Sequence, residues 1–389
     1  MKKFLGFLFI LGLVFCLPAF AQPDLQALDK IVEAQMKETR IPGLALSLSG
    51  PELGQVDRAY GFADLENRVK VGDNAVFCIG SVSKVFAALA VRKLEEEGKL
   101  KVTDPIVKYF PQYPDWGGTS PESPDFDKIY EPDQAYSKRN AITIRNLLQH
   151  TSGIPDLTDL EPIKSDQMKD FTPRQILEIV GSAPLDFAPG EKAQYSNSGA
   201  VLLALIVEKA SGMSYAEYLK REILTPLNMK TTRLGSNLEL IPHRVRGYHL
   251  EGNTMENALY ASLIMPYASG GMMSSAPDLV KLERAFTPGV LLKKETVEAM
   301  FEPCRLRDGS IGMISPQASF GDCLELIKFD KNTFTPTKNG EISGFDSLYC
   351  RFQHPRFSLV LLSNRDGNSG ALYKIAYEIQ QLLIKEGIK

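Results

Sequence analysis

A serine and a lysine stand three residues apart at the start of an apolar segment. They are Ser81 and Lys84, the ends of the only Ser-x-x-Lys in the chain, and the apolar run 85–91 follows directly. Residues three apart on a helix share a face, so the amine lies within reach of the hydroxyl. An amine placed there can take the hydroxyl proton and activate the serine. The spacing predicts covalent serine hydrolase chemistry; a capped helix start with a solvent-facing lysine is the structural alternative.

Two further polar motifs follow along the chain. Tyr195 and Asn197 form its only Tyr-x-Asn, directly before an apolar helical segment. Lys338, Asn339 and Gly340 lead into a predicted strand, where a glycine beside a lysine allows a ligand to approach the backbone closely. Regular elements behind such residues can hold their side chains in a cleft. We therefore expect these motifs to supply the site.

The N-terminal residues have the pattern of a secretory signal peptide. Lys2 and Lys3 precede an apolar stretch over 4–15, and the small-x-small sequence 19–21 offers a cleavage site before Gln22. The apolar stretch is too short for a comfortable membrane span. The sequence thus predicts a signal peptide over 1–21, a mature chain of 22–389 with no stable membrane anchor, and a periplasmic or secreted location.

Charge and metal-ligand content argue against other classes of function. Loss of Lys2 and Lys3 takes the formal charge from −3 to −5, and no basic stripe is present, so nucleic acid is not an expected partner. Four histidines are scattered along the chain and no Cys-x-x-Cys occurs, so we expect neither a metal nor another cofactor.

The cysteines leave two alternatives open. Cys78, Cys304, Cys323 and Cys350 remain after the predicted cleavage, and export permits disulfides. A Cys304–Cys323 bridge would close one loop, but spacing does not establish connectivity. The other alternative, which we favour, is a set of free, buried thiols.

Hydrophobic periodicity predicts an α+β fold built from both ends of the chain. Apolar residues recur at helical spacing over 25–36, and alternation over 44–49 predicts a strand. Near the other end, 345–352 and 357–362 have the pattern of paired strands, and 372–383 forms one apolar helical face. We expect an antiparallel sheet flanked by these terminal helices.

The middle of the chain has a helical period instead. We expect an inserted all-helical part over about 110–234 and an α/β part from about 22–109 and 235–389. Within the helical part, the Pro-, Gly- and Ser-rich segment 112–140 carries the only tryptophan, Trp116. Its composition predicts a long surface loop at the rim of the site.

In the order of its motifs the chain resembles the serine β-lactamase and penicillin-binding protein family. The family's Ser-x-x-Lys, Tyr-x-Asn and Lys-Thr-Gly stand here as 81–84, 195–197 and 338–340. The resemblance runs from about Gly43 onward. The branch most like it contains the class C β-lactamases, the D-alanyl-D-alanine carboxypeptidases and related esterases. Four more stretches look like this family: 77–80, 147–153, 269–272 and 362–364.

The resemblance implies a role for each motif residue. Ser81 would be the acyl-forming nucleophile, Lys84 the cation that shuttles a proton, and Tyr195 the general base or its relay. Asn197 would hydrogen-bond the substrate amide. The backbone N–H groups of Ser81 and Glu341 would form the oxyanion hole, the kind of donor pair that stabilises a tetrahedral intermediate.

Two departures from the family pattern concern the substrate. Asn339 replaces a threonine whose hydroxyl helps the family bind a substrate carboxylate, and Glu341 adds a negative charge beside the oxyanion site. Lys338 still supplies a positive charge. The predicted substrate is a small molecule or peptide with an ester, amide or β-lactam bond, and the departures make a neutral ester or amide a fair alternative to a carboxylate-bearing substrate.

Competing functions are weaker. A Ser-His-Asp enzyme would require a nucleophile elbow, but the chain has no Gly-x-Ser-x-Gly, and we interpret His150 as a packing residue. The other alternative is a non-catalytic penicillin-binding or cell-wall-sensing protein that forms at most a slow acyl adduct. The complete set of reactive residues argues against it.

Overall fold

The computed structural model describes most of the chain. The described residues are 23–113, 116, 141–166, 168–329 and 333–388. The predicted signal peptide and nearly all of the predicted 112–140 loop lie outside them. Trp116 is described, and its side chain is only 2% exposed and packs edge-on against Phe110 with ring centroids 5.8 Å apart.

Eleven α-helices are present among the described residues. They are α1 (Leu25–Thr39), α2 (Ser83–Glu96), α3 (Ile144–Leu148), α4 (Pro173–Gly181), α5 (Asn197–Ser211), α6 (Tyr215–Leu219), α7 (Tyr267–Gly270), α8 (Ala276–Leu279), α9 (Leu282–Ala285), α10 (Lys294–Met300) and α11 (Ser369–Lys385).

The strands form one large sheet and two small ones. They are β1 (Gly43–Gly50), β2 (Gly54–Asp64), β3 (Val69–Lys70), β4 (Phe77–Cys78), β5 (Arg233–Leu234), β6 (Tyr248–Glu251), β7 (Thr254–Asn257), β8 (Met272–Ser274), β9 (Met313–Ser315), β10 (Ala318–Phe320), β11 (Glu325–Lys328), β12 (Phe334–Ile342), β13 (Phe345–Gln353) and β14 (Arg356–Ser363).

The nine-stranded sheet joins the two ends of the chain. Its strand order is β3-β2-β1-β14-β13-β12-β11-β10-β9, and all neighbouring pairs are antiparallel. The first long strand therefore pairs with the last, with Leu44 opposite Ser363. This confirms the predicted α+β fold with an antiparallel sheet.

Both faces of the sheet are covered. On one face α1 and α11 pack over the strands, with Val32, Ile375 and Leu361 in one core cluster. On the other face Val360 belongs to a second core, shared with the remaining helices. The predicted terminal helices are confirmed. The alternation in β1 does not separate core from solvent, because even Ser47 is fully buried on the second face.

A helical layer packs against this second face. Helices α2 and α5 form its centre, and α5 begins where the Ser196 side chain accepts from the Gly199 N–H and ends at Gly212, which has a left-handed φ of 71°. The described residues of 110–234 are helices and turns apart from β5. Since α2 precedes this interval, the layer includes residues outside it, and the division at about 110 and 234 stays a prediction.

Two observations concern membrane insertion and thiols. Within the described residues no single helix is long and apolar enough to cross a membrane. The helical segments 197–211 and 215–224 together have the length and composition of a membrane span, but the chain bends by 79° between them. All four described cysteines are free and buried, so the free-thiol alternative is confirmed and the Cys304–Cys323 bridge is not formed.

The sheet meets the helical layer in a close backbone contact. A methyl group on Gly340 of β12 would lie 2.2 Å from the Ile79 carbonyl oxygen and 2.7 Å from the Ser81 amide nitrogen. On the other side, Gly80 has φ of +47°, and a methyl group there would lie 2.7 Å from the Glu341 nitrogen. Only glycine allows the two backbones to approach this closely.

We expect Gly340→Ala to lower the free energy of unfolding by about 1–3 kcal/mol, because the added methyl group overlaps backbone atoms that have no space to move. Gly370→Ala is the matched control: it lies in α11 with no atom within 4 Å, and we expect it to be neutral or to stabilise by up to about 1 kcal/mol. Urea unfolding of both variants is the measurement. Equal stability of the two would contradict the close contact.

Candidate active site

Ser81 lies in a single 3₁₀ turn, Gly80–Val82, that leads into α2. The turn is held from behind by Ser83, whose hydroxyl donates to the Gly80 carbonyl at 2.6 Å and accepts from the Met272 N–H at 3.1 Å. Ser81 itself is partly exposed. The nucleophile candidate is thus at the surface of a rigid turn and is not sealed in the core.

Lys84, one helical turn further on, is completely buried. Its ammonium group donates to Ser81 Oγ at 3.0 Å, to Asn197 Oδ1 at 2.7 Å and to the Ser269 carbonyl at 2.6 Å. Burial lowers the pKa of Lys84, since desolvation disfavours the charged form, and nearby Lys338 adds to the effect against the opposing influence of Tyr195. This lysine is therefore adapted to exchange a proton with its neighbours.

Tyr195 contacts the same serine hydroxyl as Lys84. Its hydroxyl donates to Ser81 Oγ at 2.6 Å. The ammonium nitrogens of Lys84 and Lys338 each lie 4.7 Å from the centroid of its ring. The structure thus brings two ammonium groups, one phenol and one hydroxyl into a single cluster, although Tyr195 and Lys338 are far from Ser81 and Lys84 in the sequence.

His150 packs behind Tyr195. Its ring centroid is 4.8 Å from that of Tyr195, and Nδ1 accepts from the Ser196 N–H at 3.2 Å, while Nε2 is buried with no partner among the described residues. Burial, with smaller contributions from Lys338 and Lys84, holds the pKa of His150 well below its ordinary value. No hydrogen bond joins it to Ser81, and this geometry matches a packing role.

Asn197 is fixed by a residue that the sequence analysis missed. Asp156 accepts from the Asn197 backbone N–H at 2.6 Å and from its Nδ2 at 3.0 Å. Since the amide nitrogen of the side chain is engaged by this carboxylate, the amide oxygen is directed at Lys84. Asp156 therefore acts as a positioning residue for Asn197.

Lys338 is paired with a second residue that the sequence analysis missed. Its ammonium donates to Glu325 Oε1 on the adjacent strand β11 at 2.5 Å, and the two side chains are 2% and 12% exposed. Burial by itself lowers the pKa of Lys338, but Glu325 and Tyr195 outweigh it, so the pKa lies above its ordinary value. Lys338 is a fixed positive charge.

The predicted oxyanion donors lie at the glycine contact between β12 and the nucleophile turn. The Ser81 and Glu341 amide nitrogens each approach the glycine of the opposite segment, as described above. The Ser347 hydroxyl on β13 donates to the Ile79 carbonyl at 2.7 Å and ties the turn to the sheet. The Glu341 side chain is exposed, and that of Asn339 is partly buried.

Two pockets meet at Ser81. The first, of about 680 Å³, which we call the tyrosine-side pocket, is lined by Tyr195, Lys338, Asn339, Glu325 and apolar residues that include Phe320 and Ile327. The second, of about 410 Å³, which we call the asparagine-side pocket, is lined by Asn197, Ser269, Leu157, Leu259 and Met265. Ser81 and Glu341 line both pockets. A substrate bound across the hydroxyl would place one half in each.

All eight predicted site residues come together in this region. Asp156 and Glu325 gave no sequence signal, since their roles depend on contacts with distant residues, whereas Ser269 stood in a stretch already noted as similar to the family. Within the described ranges no group of three or more His, Cys, Asp or Glu side chains is arranged to hold a metal ion.

Comparison with known proteins identifies the family of this chain. The beta-lactamase family model matches residues 28–381. Penicillin-binding protein 4* of Bacillus subtilis (strain 168) is 28% identical over 354 residues, which cover 87% of this chain and 71% of that protein.

Solved structures share the fold at lower identity. A D-amino acid amidase from Ochrobactrum anthropi SV3, complexed with D-phenylalanine, has a TM-score of 0.74 and 23% identity over 92% of this chain and 99% of that one. An octameric penicillin-binding protein homologue from Pyrococcus abyssi has a TM-score of 0.73 and 24% identity over 92% and 77% of the two chains.

We expect Asp156→Ala to slow the reaction of Ser81 with a fluorophosphonate by about tenfold, because Asn197 loses two hydrogen bonds to a carboxylate and no longer fixes Lys84. Asp159→Ala, in the same turn but exposed, is the control and should react at the wild-type rate. Time-resolved labelling measures both. Equal rates for the two variants would show that Asp156 does not position Asn197.

Proposed function

Because the chain belongs to the beta-lactamase family of serine hydrolases, we propose that it forms an acyl-enzyme on Ser81 and then releases the acyl group to water. The observation that carries this proposal is the convergence on one partly exposed hydroxyl: Lys84 Nζ at 3.0 Å, the Tyr195 oxygen at 2.6 Å, and two pockets opening beside it. Both distances are suitable for direct proton transfer.

Acylation proceeds by transfer of the Ser81 proton and attack of its oxygen on the substrate carbonyl. Either the Lys84 amine or the Tyr195 oxygen, in its deprotonated form, receives the proton. A bond forms between Ser81 Oγ and the carbonyl carbon, and the oxyanion lies against the backbone N–H groups of Ser81 and Glu341. The bond to the leaving group then breaks, and the same proton passes to that group.

In deacylation, water is the nucleophile and the Ser81 oxygen is the leaving group. The Tyr195 and Lys84 pair takes a proton from water, and the resulting hydroxide attacks the acyl carbon. The bond to Ser81 Oγ breaks, and the serine recovers its proton. Asn197, fixed by Asp156, offers its amide to the acyl half of the substrate in the asparagine-side pocket.

The substrate class is a small molecule or peptide with an ester, amide or β-lactam bond. Class C β-lactamase, D-alanyl-D-alanine carboxypeptidase and esterase activities all fit this chemistry and differ in leaving group and deacylation rate. The proteins that this chain resembles include a penicillin-binding protein and a D-amino acid amidase. A non-catalytic penicillin-binding or cell-wall-sensing protein would share the acylation step alone.

Export is part of the proposal and is supported by the sequence of residues 1–21. We expect the full-length gene product, expressed in a bacterium with a periplasm, to be recovered outside the cytoplasm with Gln22 as its first residue. N-terminal sequencing of the fractionated protein is the measurement. An uncleaved N-terminus in the cytoplasm would contradict export and leave the hydrolase proposal intact.

Acylation can be tested by covalent labelling. We expect a fluorescent penicillin or a fluorophosphonate to label the wild-type protein on Ser81, as located by peptide mass. Ser81→Ala should abolish labelling and turnover, and Tyr195→Phe should lower turnover by about 10² or more, since a positioned acid–base group contributes that much. Exposed Ser182→Ala is the control and should behave as wild type.

Three results would count against the proposal. Label on a residue other than Ser81, or no label with either probe, would remove the mechanism. A stoichiometric burst of product with no steady turnover on nitrocefin, p-nitrophenyl esters, D-amino-acid amides and a D-Ala-D-Ala peptide would instead support the non-catalytic alternative.

A further inference from the structure

The two pockets at Ser81 take different halves of a substrate. This assignment rests on the proposed function, in which Ser81 is acylated. The leaving group must receive a proton as its bond to the carbonyl carbon breaks. Of the two groups that can hold this proton, Tyr195 lines only the first pocket and Lys84 lines neither, while Asn197 lines only the second. The proton donor therefore faces the tyrosine-side pocket, and the leaving group occupies it while the acyl half extends into the asparagine-side pocket.

Charge in the tyrosine-side pocket is set by three side chains. Its lining includes one lysine, Lys338, against two glutamates, Glu325 and Glu341, which leaves a net negative charge. Lys84 is absent from this lining, and its three donors are already used by Ser81, Asn197 and Ser269. An anion entering the pocket therefore meets more negative than positive charge.

The one positive charge of the pocket already has a carboxylate partner. Glu325 accepts from Lys338 at 2.5 Å, and only 12% of the Glu325 side chain is exposed. A substrate carboxylate would have to displace this internal partner or lie next to it. The substrate carboxylate and the Glu325 carboxylate would then lie close together in a half-buried site, where two negative charges repel strongly.

The remaining lining suits uncharged or cationic groups. Asn339 and Gln194 offer neutral amides, and apolar surface comes from Phe320, Ile327 and Met313. A cationic group would be attracted by the exposed Glu341 carboxylate and by the Glu325 oxygen that does not accept from Lys338.

We propose that Glu325 is a specificity-determining residue that makes the tyrosine-side pocket accept uncharged or cationic leaving groups and reject those that carry a carboxylate. The preferred substrates are then esters or amides whose leaving group is neutral or basic. Penicillins and peptides ending in D-alanine are disfavoured, because the part that departs from the carbonyl in each bears a carboxylate.

A matched set of thioesters tests this proposal. We would compare the phenylacetyl thioesters of thioglycolate, mercaptoacetamide and thiocholine, whose leaving groups are anionic, neutral and cationic. Released thiol is followed with Ellman's reagent, and each kcat/KM is divided by the rate of alkaline hydrolysis of the same thioester to correct for intrinsic reactivity. For the wild type we expect the corrected thioglycolate value to be at least about tenfold below the other two, as one repulsive charge near contact predicts.

Variants assign the effect to Glu325. We expect Glu325→Gln to reduce the discrimination against the thioglycolate ester by about tenfold. Without the Glu325 carboxylate, Lys338 can bind the carboxylate of the substrate instead. Glu325→Asp keeps the charge and should keep the preference. Glu298→Gln removes the same charge from exposed α10, outside both pockets, and should match the wild type.

The outcomes separate this inference from the function on which it rests. Wild-type turnover with equal corrected rates for the anionic and neutral thioesters, or unchanged discrimination in folded Glu325→Gln, would overturn the role of Glu325 and leave the acyl-enzyme mechanism standing. Failure of all three thioesters to react at Ser81 would overturn the proposed function, and the inference with it. The wild-type comparison decides even when Glu325→Gln does not fold, which circular dichroism would show.

Discussion

The buried ammonium group of Lys84 is the constraint on which the site depends. Removing a charge from water is costly unless polar atoms replace the lost solvation. An ammonium has three N–H donors, and Lys84 has three acceptors, one each from the nucleophile turn, the start of α5 and the α7 segment. Satisfying this one group therefore fixes Ser81, Asn197 and Ser269 relative to one another.

The second lysine, Lys338, is held by a different kind of contact. Lys84 contacts only uncharged oxygens, and its pKa is lowered, whereas Lys338 contacts the Glu325 carboxylate, and its pKa is raised. Both ammonium groups lie beside the Tyr195 ring at the same distance. Two identical side chains thus serve different purposes: one is adapted to exchange protons, and the other is a permanent charge whose partner controls the neighbouring pocket.

The large sheet supplies the rigidity that this arrangement requires. Strand β12 is anchored by β11 and β13, and its Gly340 lies against the turn that carries Ser81. Ser347 links the Ile79 carbonyl, directly before that turn, to β13. The neighbouring strand β13 places Tyr349 in one core and Leu348 in the other, so β12 pairs with a strand that is held by both cores. The nucleophile and its backbone donors are therefore positioned by the whole fold.

Much of this protein was determined by local sequence pattern. The α+β class, the terminal strands and helices, and the pairing of Ser81 with Lys84 were predictable because hydrophobic period and helical spacing act over a few residues. The role of Tyr195 was predicted from the resemblance of the ordered motifs to a known family. Asp156, Glu325 and the burial of Trp116 were decided by tertiary structure alone. Asp156 meets Asn197 across 41 residues, and Glu325 meets Lys338 across a strand pair, so neither contact exists until packing sets the distance. The kind of chemistry was thus encoded in motifs, while the orientation of the reactive side chains and the charge of the tyrosine-side pocket arose only from folding.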